Sequence, residues 1–174
     1  MSFISRVLKS QELLMEQRSA RSFTRAFPNR QMKMIAIRVD GRNYRVVIDD
    51  TLMATHGFGK DFPGGICFTP DDNIVTIGLN SAACESGFVN AIVCHEIGHY
   101  VNGDTARLHA HPFARGGVLR RSLKCEIAAD HYAVRCGYRN ELIDFLRSIR
   151  GKLKELAFTN DAIREINIRL AMLK

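Results

Sequence analysis

Cys94-His95-Glu96-Ile97-Gly98-His99-Tyr100-Val101-Asn102-Gly103-Asp104 is the stretch from which the rest of this chain is read. Residues four apart on a helix lie on one face, so His95 and His99 present two neutral imidazole nitrogens side by side, as a Zn²⁺ ion requires. Glu96, between them, is placed to reach a metal-activated water as a general base. With six histidines and eight glutamates in 174 residues, random placement gives roughly 0.01 such matches. The plain alternative is a helix whose histidines are ordinary core or surface groups.

Working outward, residues 82–101 carry a helical period, with Val93, Ile97, Tyr100 and Val101 on the side away from the histidines and suited to packing on a sheet. Asn102-Gly103 supplies the stop, since both residues readily take the left-handed conformation that ends helices. Upstream, residues 34–39 and 44–48 flank Asp40-Gly41 and predict a β-hairpin. After a glycine-rich loop, in which His56 reads as polar surface, two short strands fit Gly65–Phe68 and residues 74–77, joined by residues 70–73. Phe3, Ile4, Val7, Leu8, Leu14 and Met15 predict a docked amphipathic helix over 3–16, with a membrane-surface helix as its rival, and a polar connector follows over 17–31.

Downstream, residues 104–121 read as an ordered loop or short helix, and further helices are expected over 122–136, 140–154 and 159–173. Leu142, Ile143, Leu146 and Ile149, then Ile163, Ile166, Leu170 and Leu173, form stripes suited to a core. The expected fold is α+β: an N-terminal helix and small twisted sheet over about 1–80, a central helix over about 82–101, a partner helix over about 122–136, and a helical remainder over about 140–173. At 174 residues, 46% of them hydrophobic, a single domain can bury a core of its own.

No apolar run approaches the roughly 20 residues of a bilayer span, and no secretory hydrophobic segment opens the chain, so a cytoplasmic location is expected. Cys67, Cys84, Cys94, Cys125 and Cys136 are odd in number and contain no Cys-x-x-Cys pair, which favours reduced, packed thiols over a disulfide framework. The net charge of +7 is unevenly placed. Residues 1–33 hold seven basic side chains against Glu12 and Glu16, and Arg107, Arg115, Arg120, Arg121 and Lys124 lie in a stretch without acids. A solvated face is the ordinary meaning of such charge; attraction of acidic proteins or nucleic acid is the functional one.

A catalytic zinc keeps three protein ligands and one open position. The short continuation that would supply a third histidine is missing, because position 105 is Thr105. Glu126, Ala129, Asp130 and Ala133 fall at i, i+3, i+4 and i+7, one helical face with two carboxylates and two small residues. The small residues, together with Gly98, allow two helices to approach closely. Glu126 is then the expected third ligand, and Asp130 the acceptor for the outer N–H of a ligand histidine.

The two segments, 95–104 and Glu126-Ile-Ala-Ala-Asp130-His-Tyr-Ala, resemble the HtpX and CAAX-prenyl endopeptidase group of gluzincin metallopeptidases over about 20 residues. The resemblance implies a zincin-like fold, zinc on the positions of His95, His99 and Glu126, Glu96 as general base, and a supporting role for Asp130. Members of that group are commonly membrane-embedded. This chain lacks a span and has 26 residues between His99 and Glu126, so it looks like a minimal soluble relative, and membrane and prenyl-protein roles do not carry over.

The expected function is zinc-dependent endopeptidase activity on cytosolic proteins or peptides, acidic ones being favoured by the basic 105–124 stretch. An extended substrate would add to an edge strand, with residues 66–68 as the candidate. An oxyanion-stabilising group is expected too; His109 and His111 are favoured over Arg115, His131 and Tyr138. The alternatives are a non-catalytic or latent regulatory zinc protein with the same fold, and a DNA-associated protease.

Overall fold

Asp40 and Gly41 both adopt positive φ, 48° and 77°, the backbone twist that lets two residues join neighbouring antiparallel strands. Around them run β1 (Lys33–Val39) and β2 (Arg42–Ile48), paired from Val39 opposite Arg42 to Lys33 opposite Ile48. The hairpin is the one expected from the sequence. The computed structural model describes residues 33–51, 63–68, 74–104, 123–155 and 160–174. The expected N-terminal helix over 3–16, the connector, the His56 loop, the 70–73 turn and the segment after Asp104 lie outside the described residues.

Two further strands complete a four-stranded mixed sheet of order β1-β2-β4-β3. β3 (Gly65–Phe68) has the expected bounds, whereas β4 (Thr76–Leu79) begins two residues later than expected. The shift follows from pairing. β4 runs parallel to β2 with Arg45 opposite Thr76 and Ile48 opposite Leu79, and antiparallel to β3 with Gly65 opposite Leu79. Held between two strands, every residue of β4 is buried, so neither alternation nor a turn marked its true start.

The helix expected over 82–101 is two. Asn80 caps α1 (Ser81–Glu85) by accepting from the Ala83 amide at 2.9 Å, and the same side-chain oxygen accepts from Gly64 N at 3.1 Å, fixing the start of β3. Gly87 at φ 78° then breaks the helical path, and α2 (Val89–Val101) begins afresh. Phe88 gives α2 no side-chain cap. That task falls to Glu141, whose carboxylate accepts from the Ala91 amide at 3.0 Å and places negative charge at the helix N-terminus. Glu141 belongs to α4 (Arg139–Glu155), which follows α3 (Leu123–Arg135) and precedes α5 (Asn160–Met172).

α2 packs on β3 and β4 on one side and on α3 and α4 on the other. It was expected to be apolar on one side only, yet Asn90 through His99 are all buried, and Val101, expected in the core, is 43% exposed. Gly98 explains how closely α3 approaches: a Cβ there would lie 2.8 Å from Ala129 Cα and 2.9 Å from Ala129 O. Tyr132 of α3 reaches back to the hairpin, its hydroxyl donating to Asp40 Oδ2 at 2.6 Å. Leu142, Leu146, Ile166 and Leu173 from the expected stripes join the core. All five cysteines are free thiols. Among the described residues no helix is long and apolar enough to cross a membrane.

Candidate metal centre

The histidines project from the middle of α2, which the packing around it takes out of water: His95 is 6% exposed and His99 fully buried. Their rings meet edge to face with centroids 4.7 Å apart, and their Nε2 atoms approach to 3.1 Å. Glu126, on the first turn of α3, brings Oε2 to 3.3 Å from His95 Nε2 and Oε1 to 3.5 Å from His99 Nε2. One donor atom from each of the three lies within 4.8 Å of the others, and this is the cluster of metal-ligating side chains found among the described residues.

Such a group could hold a zinc ion. Ligand bonds of 2.0–2.1 Å in a tetrahedron separate neighbouring donors by about 3.3 Å, close to the 3.1 Å between the two Nε2 atoms and to the distance of each ring from its nearer Glu126 oxygen. The donor set of two imidazoles and one carboxylate is also one that catalytic zinc uses. The rings are turned correctly as well, because each keeps its Nδ1 toward a carboxylate and its Nε2 toward Glu126.

The two supporting carboxylates arrive by different routes. Asp104 lies just past α2, where Gly103 at φ 74° folds the chain back, and its Oδ2 is 3.3 Å from His99 Nδ1. Asp130, one turn after Glu126 on α3, has Oδ1 2.9 Å from His95 Nδ1. This second contact is an ionic one, short in distance but out of line for a hydrogen bond as the ring stands. Asp130 is held from its other side by Arg169 of α5, which donates from Nε to Oδ2 at 2.8 Å and from Nη2 to Oδ1 at 2.7 Å. Arg169 Nη1 also lies 3.0 Å from Glu126 Oε2.

These contacts set the charges. Burial pushes His95 toward neutrality, but Asp130 and Glu126 more than offset it, and its pKa is raised to about 9 in the metal-free protein. Burial would raise the carboxyls of Glu126 and Asp130; His95 and Arg169 reverse that and hold both below their ordinary values. The cluster therefore sets two carboxylates on α3 against protonated His95 and Arg169, and a metal ion taking His95 Nε2 would have to displace one proton from that ring.

Glu96, 4% exposed, lies on the sheet side of α2. A Cβ on Gly65 of β3 would come within 3.0 Å of Glu96 Cγ, so the glycine makes room for this side chain beneath the outer strand. His95, His99, Glu126 and Asp130, all named from the sequence, thus fall in one neighbourhood, while Glu96, one residue along the same helix, is turned toward β3. His109 and His111 lie outside the described residues, and His131 is exposed on the far face of α3.

Arg169 and the role of Asp104 were missed. A signal existed for the first: Arg169 interrupts the apolar stripe of α5 between Ile166 and Leu173, a position where charge needs a partner. Asp104 was quoted within the motif but had no assigned task, since the reversal at Gly103 is a tertiary fact. Compared with protein-family models, curated proteins and solved structures, the chain finds no match in any of the three.

Proposed function

We propose that the chain is a zinc-dependent endopeptidase of zincin-like design, with His95, His99 and Glu126 as metal ligands and Glu96 as general base. The observation that supports this most is the buried group of His95, His99 and Glu126, whose Nε2 atoms lie 3.1 Å apart with one Glu126 oxygen 3.3 Å from His95 and the other 3.5 Å from His99, and with a carboxylate one residue along the same helix. A zinc ion there supplies a Lewis acid and brings the pKa of water toward about 7. Glu96 takes the proton from the attacking water and returns it to the leaving amine. Asp104 and Asp130 stand beside the outer ring nitrogens and so favour the orientation in which both Nε2 atoms face Glu126. β3 is one of the two outer strands of the described sheet and is the one that lies over Glu96, so a peptide added to it in extended form is brought to the general base. His109 and His111 are the candidates for stabilising the oxyanion.

The test is Glu96→Gln. The variant keeps its zinc by metal analysis and loses about 10²–10⁴-fold in cleavage of an unfolded protein, whereas Glu126→Ala loses the metal. Full activity in Glu96→Gln overturns the assignment. Zinc uptake by the native chain without cleavage points instead to a regulatory zinc protein on the same fold.

A further inference from the structure

α5 contributes no donor to the candidate centre, yet one of its side chains touches two members of it. Arg169 lies on the face that carries Ile166 and Leu173 and is only 7% exposed, a depth at which arginine is rare without partners. All three guanidinium nitrogens are engaged: Nε and Nη2 grip both oxygens of Asp130, and Nη1 faces Glu126 Oε2. Asp130 in turn faces His95. The guanidinium therefore holds both the third donor and the group behind the first.

We propose that Arg169 is a positioning residue for the metal centre, its planar fork fixing Glu126 and Asp130 in the orientation that metal binding uses. This rests on the reading of His95, His99 and Glu126 as metal ligands. Two carboxylates one turn apart repel each other when buried, and a cation between them removes that repulsion. A cation also opposes the approach of a divalent metal ion. The benefit of Arg169 to the metal is thus geometric, and a test must keep the charge while removing the fork.

Arg169→Lys does so, because one ammonium cannot grip Asp130 through both oxygens and reach Glu126 as the guanidinium does. Zinc affinity, measured by competition with a chromogenic chelator, falls about tenfold, and the visible absorption bands of the Co²⁺-loaded protein shift as Glu126 loosens. Ile166→Ala is the control for mere docking of α5. It lowers the thermal midpoint of the metal-free protein but leaves zinc affinity and the Co²⁺ spectrum native. Native affinity and spectrum in Arg169→Lys overturn the inference, as does an equal loss of affinity in Ile166→Ala. Failure of the underlying metal reading has a different signature: the native chain takes up no zinc, or takes up as much when His95 and His99 are both alanine, and the inference falls with it.

Discussion

His99 and Asp104 belong to one helix and the turn that ends it, whereas Glu126 and Asp130 reach His95 from a second helix and Arg169 holds those two carboxylates from a third. The near half is closed by a local reversal at Gly103 and holds together as long as α2 keeps its end. The far half is a desolvated set of opposite charges whose members stand 39 to 43 positions apart between α3 and α5. Buried charges are tolerated only while fully paired, so stability and metal affinity are tied together in the far half and separable in the near half.

The largest effect should come from Asp130→Asn. It removes the doubly gripped partner of Arg169, whose side chain is 8% exposed, and breaking such a pair costs about 3 kcal/mol. Urea unfolding of the metal-free variant measures this. A loss below about 1 kcal/mol would mean that the network behaves like a surface pair, and the contrast between the halves would collapse.

Next comes pH. His95 titrates near 6.5 unfolded and about 9 folded, so its contribution is complete below about pH 6.5 and fades as pH rises toward 9. At about 1.4 kcal/mol per pKa unit, the span is of order 3 kcal/mol. Glu126 and Asp130, both lowered, act in the opposite sense: their contribution is present above the ordinary carboxylate range and fades in acid. The metal-free protein should therefore be most stable between about pH 5 and 6.5. On the proposed reading zinc would displace the His95 proton, so zinc affinity should climb with pH up to about 9. Urea midpoints across this range should lose their alkaline decline in His95→Gln; an unchanged decline would place the titrating group elsewhere.

The same contrast accounts for what the sequence disclosed. A His-x-x-x-His pair on one helix is a local pattern, and the small-residue face of α3 revealed that a second helix packs against it, so the clustering of His95, His99, Glu126 and Asp130 was legible. The hairpin was legible because Asp40-Gly41 encodes its own turn. The start of β4 was not, since a strand paired on both sides has no alternation to read. The cap from Glu141 and the partners of Arg169 were likewise illegible, both being decided by elements distant in sequence.

Two helical glycines sharpen the comparison. Gly98→Ala drives a methyl group into the backbone of Ala129 and to 2.9 Å from Tyr132 Cβ, parting α2 from α3 at a cost of about 2 kcal/mol and weakening zinc binding by carrying Glu126 away. Gly151 of α4 faces open space, so Gly151→Ala should gain up to about 1 kcal/mol from helix propensity and leave zinc binding unchanged. Thermal unfolding of both, with and without zinc, checks the pair; equal effects would show that the α2–α3 contact has slack.

The smallest effect belongs to the near half. Asp104→Asn replaces the acceptor beside His99 Nδ1 with an amide, which still fits the space and can still accept a hydrogen bond through its oxygen. Stability of the metal-free protein should change by less than about 1 kcal/mol, since the contact at 3.3 Å is a modest one. Zinc affinity should nevertheless fall about tenfold, because a neutral acceptor makes the imidazole a weaker donor and holds its tautomer less firmly. Asp130→Asn should lose both quantities and Asp104→Asn only the second. Equal losses of stability in the two would show that the local turn and the distant charge network bear the same load, since the carboxylates then differ in their route to the site but not in what they hold.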